Sequence, residues 1–408
     1  MKHRHGRDAP IAVPPERETD EPYEFSLVEG GPFHRLLLRT GLMGPHMDLL
    51  GRRIVVLALV AWLPLLVLTI LSGHAIAGIG TPFLLDLDPH IRCLLYVPLL
   101  LAAEVVAHGR IQAIVGQFTS RGVVAPEDQP QLESAMASAM RLRDSTLPEV
   151  LLLGLTYAGA SVLWEGHFAL NVPTWIAAPV ADSMQFTPAG NYYFFVGLMI
   201  PRFLWLRWYF RLFIWACFLW EVARHVPLKL NALHPDRAGG LGFLGRSGLA
   251  FGLMLFANSL PLAAAIGGKI WHEGATLLQF KIEIAAWMVF QGLLVLTPLC
   301  FFVIQMSAAR RAGVREYGIV ASRYVAGFRR KWIEGDVAEG EVLAGATDFS
   351  SLADLGSSFE VTRKMQLVPF GRSTIMQLAI VMALPLLPLT LTMLSLDELI
   401  DRVIGVFF

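Results

Sequence analysis

Apolar runs of about twenty residues recur along this chain, and no other feature constrains its fold as strongly. They cover Ile54–Ile76, Ile91–Val106, Val150–Leu170, a stretch within Tyr192–Trp220, Gly248–Ile270, Ile282–Ile304 and Thr374–Leu394. A bilayer core of ~30 Å takes about 20 residues of helix, and in lipid each backbone N–H and C=O must be paired within its own segment. The sequence therefore predicts an all-α integral membrane protein, with about seven transmembrane helices spread over residues 54–394. Composition agrees: 55% of residues are hydrophobic and 16% charged, against roughly 25% charged in a soluble domain.

Thirty-three basic residues balance thirty-three acidic ones, so net charge gives no reason to expect a nucleic-acid partner or an acidic substrate. The distribution of charge is more telling. Arg35, Arg39, Arg52 and Arg53 precede the first run, and Arg110, Arg121, Arg141 and Arg143 follow the second. Arg224, Lys229, Arg237 and Arg246 follow the fourth, and a set from Arg310 to Lys331 follows the sixth. The alternate connections carry Asp86, Asp88 and Asp182 with few cations. Positive charge is retained on the cytoplasmic side, which predicts a cytoplasmic N-terminus and a C-terminus on the far side.

Residues 1–30 are polar and read as a disordered cytoplasmic tail, followed by a juxtamembrane segment at 31–53 with an apolar stripe at Phe33, Leu36, Leu37 and Leu38. Residues 395–408 form an amphipathic pattern suited to an interfacial helix. Helical cytoplasmic extensions are expected at 109–147, 223–247 and 306–372, the last including a short helix capped by Asp348. Cys93, Cys217 and Cys300 sit apart in apolar runs, without disulfide or metal-ligand spacing. No metal site or cofactor is expected.

The fourth run carries Arg202, Arg207 and Arg211 among aromatic residues. A charge deep in a bilayer costs ~2.5 kcal/mol or more, so such arginines face a partner or a wet cavity; otherwise an overlong, tilted helix lets them snorkel to the interfaces. Arg207 and Arg211 share a helical face, while Arg202 points elsewhere beside Pro201. Counter-charges are available at Glu104 and His108 on the second run and at Glu165 and His167 on the third, and Glu104 is expected to pair with Arg211.

The connection NALHPDRAGGLGFLG (231–245) contains Gly240-x-Gly242-x-x-Gly245, formally a dinucleotide fingerprint, but it lacks the preceding strand that the fingerprint needs. A compact turn suits it better, with His234, Asp236, Arg237, Gly239, Gly240 and Gly242 at the membrane surface. The alternative role for those residues is lining a pore mouth or holding a lipid head group.

The same block, with REYGIVASRYVAGFRRKW, SLADLGSSFEVTRKMQLVPF and LPLLPLTLTMLSLDELIDRVIGVF, resembles a family of uncharacterised bacterial multi-pass inner-membrane proteins. The resemblance implies a bacterial inner-membrane protein of the same architecture, and it implies no activity. From the residues themselves, two functional classes stand. One is a channel or transporter for a small solute or ion, including an anion, along Arg202, Arg207, Arg211, Glu104 and His108. The other is a scaffold or sensor whose basic helices dock a cytoplasmic protein or anionic lipid. An intramembrane enzyme ranks behind both, since no catalytic motif is present. Gly154, Gly159 and Ala160 permit close helix approach, either within the chain or in a homo-oligomer.

Overall fold

The computed structural model describes residues 25–42, 44, 49–78, 80–167, 174–180, 183–335 and 347–393. The tail up to residue 24, the interfacial helix expected at 395–408 and residues 336–346 lie outside the described residues, as do the side chains of Ala160, Glu165 and His167.

The apolar runs fold as helices. A short α1 (Gly31–Arg39) precedes α2 (Leu50–Leu71). The second run enters through a π-helical turn, Ile91–Tyr96, and continues as α3 (Val97–Ser120), which extends well beyond the apolar residues as expected. Then come α4 (Gln129–Asp144), α5 (Thr146–His167) and α6 (Met199–His225), the last preceded by a second π turn, Tyr193–Gly197. The series closes with α7 (Gly252–Glu273), α8 (Lys281–Leu296), α9 (Val303–Trp332), α10 (Thr347–Arg363) and α11 (Arg372–Ala383). Among the described residues, sheet is confined to a hairpin of β1 (Ala177–Val180) and β2 (Ser183–Phe186).

Among the described residues, five helical stretches are long and apolar enough to cross a membrane: Leu50–Leu71, Leu87–Ser120, Gly252–Glu273, Leu277–Trp332 and Arg372–Thr390. Half of the apolar window of α7 is buried within the protein, against 22% for α2 and for the α11 stretch. The central helix is thus α7, and the outer ones expose Leu59, Leu63, Val67, Ile70, Ile375, Ile380 and Leu387. So broad an apolar exterior is the composition of a surface that meets lipid. On α5, Leu147, Val150, Leu151 and Leu155 are exposed too, and a Cβ on Gly154 or Gly159 would meet no atom within 4 Å. Among the described residues, no helix approaches these glycines closely.

The bundle has two unlike ends. At the basic end, Val124 bridges to Leu228 and the Lys229 N–H donates to Val123 O at 2.8 Å. There α9 runs on from α8 through a 3₁₀ turn at Thr297–Phe302 that starts beside Pro298, a residue that interrupts the helical ladder. It folds against α10 through Phe328 and Phe349, whose ring centroids are 4.8 Å apart. Asp348 does not cap α10, which already begins at Thr347; its carboxylate instead accepts from Lys331 Nζ and Trp332 Nε1 at 2.9 and 3.0 Å. At the opposite end, Trp175, Phe83, Leu65 and Tyr193 form a separate apolar cluster.

The tail expected over residues 1–30 ends sooner than the sequence suggests. Phe25, Ser26, Leu27 and Val28 are all at most 5% exposed. Phe25 packs on Phe218 with centroids 4.7 Å apart and also on Trp215. Three apolar residues in four suffice to fill a groove between α3, α4 and α6, yet are too few to stand out beside a charged stretch. The stripe expected in the juxtamembrane segment splits: Leu37 is buried, while Leu36 and Leu38 face outward.

Candidate functional site

Where α2, α3 and α6 meet near the basic end, one carboxylate gathers three guanidinium groups. Glu104 on α3 is 1% exposed. Arg53 Nη2 lies 2.7 Å from its Oε2, while Arg211 Nη2 and Arg207 Nη1 lie 2.8 and 3.5 Å from its Oε1. The expected Glu104–Arg211 pair is therefore present, and it has two further members. Because Arg207 and Arg211 are four residues apart, both project from one face of α6. Neither snorkels: they are 5% and 2% exposed, enclosed by protein. Arg207 lies over the Phe33 ring at 4.7 Å and Arg211 over Trp208 at 4.9 Å, a placement that compensates for part of the lost hydration.

Glu149, near the start of α5, contributes the second carboxylate. Its Oε1 is 3.6 Å from Arg207 Nε, and its Oε2 accepts from the Phe33 N–H at 2.7 Å. Even so, the guanidiniums outnumber their acceptors. Among the described residues, Arg211 Nη1 and Arg53 Nε and Nη1 are buried with no hydrogen-bond partner, and Glu104 Oε2, in ion-pair contact with Arg53, receives no aligned hydrogen bond either. An unsatisfied buried donor costs ~1–3 kcal/mol, which a small anion or a water would relieve.

Residues 25–31 lie across this cluster as a strap. Arg143 Nη1, at the end of α4, donates to Ser26 O at 2.6 Å, and Asp144 Oδ1 accepts from the Gly31 N–H at 2.9 Å. Ser26 Oγ is 2.9 Å from His108 Nδ1 and accepts from the N–H groups of Val28 and Glu29. Gly30 and Gly31 have φ of +128° and +85°, a region that side chains rarely adopt. A Cβ on Gly30 would also collide with Asp144 Oδ1 and Arg143. Beneath the strap is a cavity of about 10 Å³ whose polar wall is Arg143, Glu149, Arg207 and Arg211, with Leu27 and Gly30 of the strap on its other side. That is room for about one water molecule. A larger, open groove of about 450 Å³ between α4 and the end of α6 presents Glu221 and His225, which already pair at 2.8 Å.

The remaining sequence candidates fall elsewhere. His108 lies under the strap, 3.9 Å from Glu29 through Nε2. Arg202 contributes no ion pair to the Glu104 cluster; it is half-buried toward Arg92 and Tyr193, with its Nη1 unpartnered. The 231–245 connection is a turn wound around Asp236, whose carboxylate accepts from the N–H groups of Ala238, Gly240 and Gly242 at 2.8–3.1 Å and pairs with His234 at 2.8 Å. Burial pushes the Asp236 pKa up, but these N–H groups and His234 outweigh it and hold the pKa below the ordinary carboxylate value. Arg237, Gly239 and Gly240 have positive φ, and Arg237 O accepts from the Gln366 N–H at 2.7 Å. With Gly313 of α9 packed on Ala232 and a Gly245 Cβ blocked by Pro369 O, the turn ties together the helices of the basic end. It brings none of its residues to the arginines.

Sequence reasoning missed the part played by Arg53, Glu149, Arg143, Asp144 and the strap. Arg53 was visible only as a topological charge, and nothing local marks Glu149 as a partner for a residue 58 positions later. No protein-family model, curated protein or solved structure matches this chain.

Proposed function

We propose that this chain is a multi-pass membrane protein, of the bacterial inner membrane, that moves or conducts a small solute or ion past Arg207 and Arg211. In this reading α5 and α6 complete seven crossings, with the basic end in the cytoplasm and the C-terminus across the membrane. The observation that carries it is the excess of buried guanidinium donors around Glu104, set beside a small cavity that the strap lines. Charge of this kind at membrane depth is costly and marks solute paths. The conformation described is then the closed one. The direct test is flux of chloride, potassium and protons in liposomes holding the full chain, compared with a variant lacking residues 1–30. Faster flux of one ion in the truncated protein, abolished by adding Arg211→Gln, is the expected result. No flux of any of them in either protein would sink ion conduction.

A second reading has its own observation. Only Met306 and Gly313 of α9 are buried, while Ile319, Val320 and Val325 are 49–52% exposed on a helix bearing Arg310, Arg311, Arg315 and Arg323. A projecting basic hairpin with open aliphatic positions suits docking of a cytoplasmic partner. Unchanged flux in an Ile319→Ser/Val320→Ser variant, with loss of a co-purifying protein, would favour it.

A further inference from the structure

We propose that the cavity under the strap is a binding site for one monovalent inorganic anion the size of chloride, held by Arg207 and Arg211 with Arg143 at its rim. The inference rests on the reading of these arginines as the solute path and names what that path takes.

Charge at the wall fixes the sign. Arg143, Arg207 and Arg211 line the cavity against the single carboxylate of Glu149. Glu104, Asp144 and the strap's Glu29 offset that charge from outside the lining. A cation in the cavity would meet the repulsion of the lining guanidiniums first. Chemistry fixes the ligating groups. Arg211 is 2% exposed and lines the cavity, and its Nη1 has no acceptor, so it offers a ready donor without first breaking a bond to protein. Arg207 lines the same space, and its Nη1 lies 3.5 Å from Glu104 Oε1, long for a charge-assisted bond and readily exchanged. Size narrows the class. The space is small, about 10 Å³, which favours a monatomic guest over sulfate, phosphate or a carboxylic acid.

The test is thermal unfolding of the full chain in detergent at constant ionic strength, replacing gluconate stepwise by chloride, together with equilibrium binding of radiolabelled chloride. The expected result is a saturable rise in the unfolding midpoint, stoichiometric binding of one chloride per chain, and no rise when sulfate replaces gluconate. Arg211→Gln should abolish both signals. Because that variant removes a member of the buried cluster, Arg143→Gln serves as a second variant: it removes one lining guanidinium from a partly exposed residue and should cut chloride affinity at least tenfold. An identical midpoint in gluconate and chloride, or a rise that Arg143→Gln and Arg211→Gln both leave intact, would overturn the site. Chloride binding without chloride flux would leave the site standing and sink conduction. Flux of an uncharged solute by a chain that binds no chloride would do the reverse.

Discussion

Each end of the bundle holds arginine with buried or half-buried carboxylate, and the two ends use it differently. At the opposite end, Asp88 receives Arg92 Nε at 2.7 Å and the Tyr193 hydroxyl at 2.9 Å, while Asp86 receives Trp175 Nε1 at 2.9 Å. Each carboxylate there has its own donors, and Asp88 is 29% exposed. That cluster pins the first π turn to the second, and its two carboxylates are matched, although Arg202 Nη1 beside it is not. At the basic end, Glu104 serves three guanidiniums with almost no access to solvent, and donors remain unmatched. A saturated pair stabilises a joint between helices, whereas an unsaturated cluster keeps binding capacity in reserve.

The largest expected effect comes from removing the two carboxylates in turn. Glu104→Gln leaves three buried positive charges without their common partner and should cost about 3–5 kcal/mol, read as a large fall in the unfolding midpoint in detergent. Asp88→Asn removes a partly exposed pair and one hydroxyl bond, and should cost about 1 kcal/mol. Equal losses from the two would break the contrast between a reserve cluster and a finished one.

A middle-sized effect is expected from Gly30→Ala. The strap reaches Asp144 only because residue 30 adopts φ +128° and carries no Cβ. Forcing an alanine there should cost about 1–3 kcal/mol, but the cost falls on the strap rather than on the bundle. The midpoint should stay close to that of the parent, while limited proteolysis cuts residues 25–31 faster. A variant that unfolds as a whole would show instead that the strap is integral to the core.

Much of this architecture was legible from hydrophobic periodicity. The apolar runs became helices, α3 continued to Ser120, and the glycine-rich connection became a turn around Asp236. Within the candidate site, the Arg207–Arg211 face and Glu104 could be read because one helical repeat aligns the first two and charge demands the third. The strap could not, since Phe25, Leu27 and Val28 are recognisable only by the groove that receives them. Glu149 and Arg53 could not either, since ion pairs between helices far apart in sequence depend on packing angles that periodicity does not encode. Asp348 misled for a related reason: a residue type that caps helices also serves as a salt-bridge partner, and here α9 claims it.

A smaller effect should come from pH. His34, on α1 behind the strap, is 8% exposed and faces Arg207 and Arg143 as well as Glu29 and Glu104. Burial, and then the charge of Arg207, lower its pKa below the ordinary imidazole value of 6.5. The folded chain thus holds His34 neutral, while the unfolded chain takes up a proton below that value. Stability from this residue is complete above pH 6.5 and is lost as the pH falls toward the depressed value. Strap proteolysis should accelerate over that interval, and His34→Gln should flatten the response. The same slope in His34→Gln would assign it to another group.

The smallest effect expected is that of Arg202→Gln, which sharpens the comparison because Arg202 lies on the same helix as the cluster but outside it. It belongs to neither set of matched carboxylates: its Nη1 is unpartnered, and its surroundings include the like charge of Arg92. Removing its charge relieves a repulsion and loses no ion pair among the described residues, so stability should change by no more than about 0.5 kcal/mol. Chloride affinity should stay within twofold of the parent, since Arg202 lines no part of the strapped cavity. A large loss of chloride binding in this variant would extend the solute path along α6 toward the π turn at Tyr193. The Asp88 end would then be a second station on the path rather than a finished joint.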